Sequence, residues 1–105
     1  MQPITEELIQ EIKNRVVNGV HPEKIILFGS YANGTSTRDS DLDLLIILYT
    51  EEPMHKRILR IRKLFRDIRV PKDIIVYTPQ EVEKWKDAST AFITSIMKKG
   101  KVIYG

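Results

Sequence analysis

No cysteine occurs in the sequence, so neither a disulfide nor a thiolate metal site can be built from it. Histidine is nearly as scarce. His21 and His55 each lack a second histidine at ligand spacing, and both read as surface residues. No apolar run approaches the roughly 20 residues that a membrane-crossing helix needs. Met1–Glu7 sets no basic stretch ahead of an apolar segment, so it does not read as a secretory signal. Internal repeats, low-complexity tracts and linker-like stretches are absent as well. What remains is the composition of a soluble globular protein, 42% hydrophobic and 30% charged, with the cytoplasm as its expected location. At 105 residues the chain is expected to be one domain over 1–105, with one modest core and no room for a separate substrate domain. A net charge of +3 permits an acidic or nucleic-acid partner without demanding one.

The informative residues are concentrated in one stretch. The apolar run Ile25–Phe28 stops at Gly29-Ser30, and a polar loop follows with Gly34, Thr35, Ser36, Thr37 and Arg38. Asp41 and Asp43 then open a second apolar run that lasts to Tyr49. Side chains on a strand alternate with a period of two, so Asp41 and Asp43 share a face. Two anions so placed repel each other. A cation between them reverses the sign of that interaction, and hard carboxylate oxygens suit Mg²⁺, which takes a few carboxylates together with phosphate oxygens and water. A short helix is expected over Ser30–Asn33, ended by Gly34, with free N–H groups and the positive end of its dipole turned toward the acids. The competing account is a tight turn followed by two surface acids. It requires the spacing and both flanking strands to coincide by chance.

Gly-Ser, ten residues, then Asp-x-Asp resembles the signature of the DNA polymerase β-like nucleotidyltransferase superfamily. The run Gly29-Ser30-Tyr31-Ala32-Asn33-Gly34 is most similar to its minimal branch, the small MntA-type nucleotidyltransferases (MNT) that act as antitoxins. The resemblance is strongest over Ile25–Ile47 and extends less specifically to the whole chain. It implies a polymerase β catalytic-core fold, two Mg²⁺ ions and ATP as substrate, with transfer of AMP to a hydroxyl. It further implies a HEPN-domain toxin as partner, with a tyrosine as the acceptor.

Elsewhere the hydrophobic periodicity assigns the elements. Ile4, Leu8, Ile9, Ile12 and Val16 form one helical stripe over Thr5–Asn18, with Gly19 as the stop. Lys24–Phe28 is a strand apolar on both faces, hence interior to a sheet, and Asp41–Tyr49 is a second strand. Met54–Ile68 reads as a long helix with an apolar stripe and a basic face of Lys56, Arg57, Arg60, Lys63 and Arg66, without acidic neighbours until Asp67. Lys72–Tyr77 is a third strand, with Asp73, Ile75 and Tyr77 on one face. Thr78-Pro79-Gln80-Glu81 has the pattern of a capping box opening a helix to about Lys86. Ser89 or Thr90 is expected to cap a last helix through Ile96 and Met97, stopped at Gly100, before a short edge strand Val102–Tyr104. Trp85 and Tyr77 read as core residues. Tyr31 and Ala32 read as packing residues, and Ser40 as bonding locally beside Asp41.

Topology supplies a third carboxylate. Gly29-Ser30 ends the first strand and Asp41 and Asp43 begin the second, so if both ends meet one substrate the two strands run antiparallel. The helix that follows crosses back, and such crossovers join parallel strands. Asp73, at the start of the third strand, then arrives beside Asp41 and Asp43. The expected class is therefore α+β, a two-layer mixed sheet with flanking helices. For a nucleotidyl transfer, Asp41, Asp43 and Asp73 are the candidate catalytic and metal-binding residues, and Gly29, Ser30 and Arg38 the candidate nucleotide contacts. The competing roles are a strand-end acid paired with Lys72 or Arg69 for Asp73, and a solvated loop charge for Arg38. Two other functions stay open: a non-catalytic nucleotide- or partner-binding protein that neutralises by contact, and a nucleic-acid-binding module using the basic helix 54–68.

Overall fold

Thr5 opens the first helix by accepting a hydrogen bond from the Leu8 amide at 3.1 Å, with Glu6 and Glu7 at the positive end of the dipole. The computed structural model describes residues 3–85 and 92–105. Its elements run α1 (Glu6–Val20), β1 (Lys24–Phe28), α2 (Ser30–Asn33), β2 (Leu42–Ile47), α3 (Met54–Arg62), a 3₁₀ turn (Lys63–Phe65), β3 (Lys72–Tyr77), α4 (Pro79–Trp85), α5 (Phe92–Lys99) and β4 (Lys101–Tyr104).

The sheet is mixed, in the order β3-β2-β1-β4. β1 pairs antiparallel with both β2 and β4, while β2 and β3 run parallel through the α3 crossover. β1 is interior, as its two-sided apolar pattern requires, and β4 lies at the edge. The strands' alternation divides the core between the two sides of the sheet. Ile25, Leu27, Leu44, Ile46, Ile74 and Val76 pack on one side against Ile9, Ile12 and Val16 of α1 and Ile61 of α3. On the other side Ile26, Leu45 and Ile47 meet Ile93 and Ile96 of α5, with Val82 of α4 alongside. Each Ile or Leu so buried contributes roughly 1.5–3 kcal/mol, and the central strands are buried from both sides. The α+β class and the mixed sheet match expectation. The layer and core counts differ: instead of two layers around one core, α4 and α5 add a smaller helical layer over a second cluster.

Two helix ends depart from the sequence reading. Gly19 lies inside α1, and the left-handed position is taken by His21 (φ 51°), whose amide reaches the Val17 carbonyl at 3.1 Å. Gly19 serves packing instead, because a Cβ there would sit 2.8 Å from a methyl of Leu64. α3 ends at Arg62 rather than at the expected Ile68. The chain tightens into the 3₁₀ turn, and Lys72 Nζ takes the Ile68 and Val70 carbonyls, each at 3.0 Å. The capping box forms as expected: Glu81 N–H donates to Thr78 Oγ1 at 3.1 Å, and Thr78 N–H to Glu81 Oε1 at 2.8 Å. The expected helix end at Lys86 and the expected caps Ser89 and Thr90 lie outside the described residues.

Candidate active site

Three strand ends meet at one edge of the sheet. In the antiparallel pair Phe28 faces Asp43, and in the parallel pair Asp43 faces Asp73. The Leu42 amide donates to the Pro71 carbonyl at 2.9 Å, which extends the parallel ladder to the mouth of both strands. Backbone neighbours in such a ladder lie about 4.8 Å apart. Asp43 and Asp73 therefore project side by side from the same face, the one that carries Leu45, Ile47 and Ile75 deeper in. Asp41 sits one residue before β2 rather than within it, and is exposed.

Asp43 is half-buried while Asp41 and Asp73 are exposed. Burial pushes the Asp43 carboxyl above the ordinary aspartate value, and the charges of Asp73 and then Asp41 push it in the same direction. The three acids thus form one electrostatic group. Among the described residues, no three His, Asp or Glu side chains are already gathered at metal-binding distance. The convergence is one of backbone position and charge. The donor set nonetheless fits a hard divalent cation: it offers carboxylate oxygens only, and their mutual repulsion is what a cation relieves.

Gly29 abuts this group. Its φ of 73° lies in the left-handed region, and a Cβ built there would collide with Asp43 Oδ2. The glycine is required twice over, by its conformation and by the carboxylate against it. α2 begins at Ser30, and the amides of Ala32 and Asn33 return to the Gly29 carbonyl at 3.1 and 3.2 Å. Gly34 (φ 79°) closes this single turn, donating to the Ser30 carbonyl. Tyr31 and Ala32 pack against the core, as expected. In the loop before β2, Ser40 Oγ accepts from the Thr37 amide at 2.8 Å, a local bond of the kind anticipated. Arg38 stands exposed in this loop.

A feature absent from the sequence reading adjoins Gly29. A cleft of about 490 Å³ opens between Phe28, Gly29 and Asn33 on one side and Phe92, Ser95 and Lys99 of α5 on the other. Phe92 is 58% exposed, with its ring edge-on to Phe28 at 5.9 Å between centroids. The signal was present as the spacing 92, 95, 99, one face of a helix. Only the fold shows that this face meets the end of β1.

The basic helix reads differently in three dimensions. Arg57 is buried, at 8% exposure. Its guanidinium donates to the Glu52 carbonyl at 2.7 Å, the Val76 carbonyl at 3.3 Å and Glu81 Oε1 at 2.7 Å. Arg60 pairs with Glu52 at 3.3 Å. Two of the five basic residues therefore have acidic partners, and Arg57 ties α3 to β3 and α4. Trp85, expected in the core, is 44% exposed, with Lys84 Nζ 5.5 Å from its ring centre. His21 and His55 lie on the surface. Among the described residues no helix is long and apolar enough to cross a membrane.

Residues 10–105 match the family described as Polymerase beta, Nucleotidyltransferase. Two Methanocaldococcus jannaschii proteins, each provisionally named a protein adenylyltransferase, are similar in sequence. One is 42% identical over 65 residues, covering 62% of this chain and 41% of its own length. The other is 30% identical over 96 residues, covering 90% of this chain and 93% of its own. The chain thus spans under half of the first relative and nearly all of the second. Among solved structures, a crystal structure of a toxin–antitoxin with AMP-PNP aligns with a TM-score of 0.67 at 24% identity, over 91% of this chain and 72% of that one. A provisionally assigned nucleotidyltransferase from Sulfolobus solfataricus aligns with a TM-score of 0.60 at 28% identity, over 77% and 73%.

Proposed function

The chain belongs to the polymerase β nucleotidyltransferase family, and on that premise we propose that it is a Mg²⁺-dependent protein adenylyltransferase. In this reading it moves AMP from ATP to a tyrosine hydroxyl of a HEPN-domain toxin, acting as the antitoxin of the pair in the cytoplasm. The observation that carries the chemistry is the in-register pairing of Asp43 with Asp73, beside the Gly29 turn. A protein acceptor is supported by the names of the two sequence relatives and a toxin partner by that of the structural neighbour; the tyrosine and the HEPN domain rest on the resemblance of the Gly29–Asp43 stretch to the MntA-type branch.

The Gly29 and Ser30 backbone, with the Ser30 hydroxyl, grips the triphosphate, and Arg38 pairs with a phosphate oxygen. Asp41 and Asp43 would hold two divalent ions, with Asp73 as a further ligand to one of them. When bound, these ions supply charge neutralisation for the attacking and leaving oxygens of an in-line displacement. Asp73 takes the proton from the incoming hydroxyl. The hydroxyl oxygen bonds to the α-phosphorus, the bond from that phosphorus to the bridging oxygen breaks, and pyrophosphate leaves with the electron pair.

The test is transfer of label from α-labelled ATP to the candidate toxin in the presence of Mg²⁺. The parent chain should label the toxin and relieve its toxicity, and Asp43→Asn should do neither. A variant that labels nothing yet still neutralises would replace this reading with neutralisation by contact.

A further inference from the structure

We propose that the cleft between the end of β1 and α5 holds the nucleoside half of the donor nucleotide, with Phe92 as the surface on which the base stacks. This deepens the adenylyltransferase reading and rests on it for the position of the triphosphate. Three observations converge. First, the cleft shares Gly29 with the proposed phosphate cradle, so a triphosphate gripped at Gly29-Ser30 lies at the cleft mouth. Second, its volume of about 490 Å³ is in the range of small-molecule clefts. Third, its chemistry suits a base and a ribose.

Phe92 is an apolar ring left 58% exposed at the start of a helix, perpendicular to the Phe28 ring at 5.9 Å between centroids. An exposed aromatic ring is what a base requires for stacking, whatever its identity. Asn33 and Ser95 carry groups that both donate and accept. Lys99 donates only, which matches a ring nitrogen or a ribose oxygen rather than an amino group. Phe92, Ser95 and Lys99 recur at the spacing of one helical face, so α5 presents them together. Ile93 and Ile96 meanwhile fix the helix to the sheet from its buried side.

The experiment compares calorimetric binding of ATP and of inorganic triphosphate, each with Mg²⁺, to the full chain and to Phe92→Ala and Phe92→Trp. Phe92→Ala should weaken ATP roughly ten- to a hundredfold and leave triphosphate unchanged, while Phe92→Trp retains ATP binding. Lys99→Met should weaken ATP alone by a smaller factor. Unchanged ATP affinity in Phe92→Ala overturns the assignment. So does a parallel loss of ATP and triphosphate, because the effect would then come through the fold. The two readings fail separately. Selective loss of ATP binding with no label transfer by the parent chain leaves the cleft and removes the reaction. Label transfer by Phe92→Ala with an unchanged KM for ATP leaves the reaction and removes the cleft.

Discussion

The place that a side chain at Gly29 would occupy is already filled by a carboxylate oxygen of Asp43. The turn that ends β1 and the acid that opens β2 are thereby fitted to each other before any ligand arrives. Gly29→Ala should therefore fail in two ways. A non-glycine residue at φ 73° costs about 1–3 kcal/mol in strain, and Asp43 must swing away to admit the methyl. Thermal unfolding should shift down accordingly, and transfer activity should fall by about a hundredfold or more in the fraction that remains folded. An alanine variant that keeps full activity would show that the approach of Gly29 to Asp43 has no catalytic meaning.

Asp73 is tested most directly by Asp73→Asn. It is exposed and paired in register with Asp43, so the amide should leave the sheet intact and the stability within about 0.5 kcal/mol of the parent. Transfer should nonetheless fall by roughly two to four orders of magnitude, the range of a lost general base. Raising the pH should recover part of the rate if the lost function is proton removal. A variant with unimpaired transfer would return Asp73 to the status of a strand-end acid.

Much of this site was legible in the chain because its parts are local. Gly29-Ser30 and Asp41/Asp43 lie within one strand–turn–strand unit, and the position of Asp73 follows because a crossover helix joins parallel strands. β1, α2 and β3 came out with the bounds expected of them, since their signals are short apolar runs between strong punctuators. Gly19 misled because a glycine near a helix end can serve as a stop or as room for a neighbour, and only Leu64 decides which. Arg57 misled because periodicity placed it with the solvated bases, while its long side chain reaches two carbonyls and Glu81. The cleft was legible only as the α5 face of 92, 95 and 99; that this face meets Phe28, far away in the chain, is set by the fold.

Among the five basic residues of that face, Arg57→Ala should be the most destabilising change. It removes the donor to the Glu52 and Val76 carbonyls and leaves Glu81 with its cap bonds alone. A loss of about 2–3 kcal/mol is expected, discounted for the partly exposed Glu81, with a fall of roughly 10–20 °C in melting temperature. The pH dependence should change too. Burial raises the Glu81 carboxyl, but the Thr78 amide and Arg57 outweigh it and hold the group below the ordinary glutamate value. Its stabilisation is therefore present above that value and is lost as pH falls through the lower folded one. In Arg57→Ala this acid-side loss should shrink. By contrast, Lys63→Ala and Arg66→Ala should leave stability within about 0.5 kcal/mol of the parent. Salt-sensitive RNA binding that these two changes abolish would revive a nucleic-acid role for that face.

Asp43 carries the opposite sign. Its folded carboxyl lies above the ordinary aspartate value, because burial and then Asp73 and Asp41 disfavour the anion. The folded state thus holds the proton more tightly than the unfolded chain. Below the ordinary value, about 3.9, both states are protonated and the group costs nothing. The cost develops as pH rises from there through the folded value, and it is complete above it. Asp43→Asn should consequently melt higher than the parent at pH 7, and the gap should close as pH falls toward 3. Added Mg²⁺ should raise the parent's melting temperature by binding only the folded chain and should move the variant far less. The repulsion that weakens the fold would then be the same one that draws in the cation. An Asp43→Asn variant that melts lower at pH 7, or a parent indifferent to Mg²⁺, would break that link.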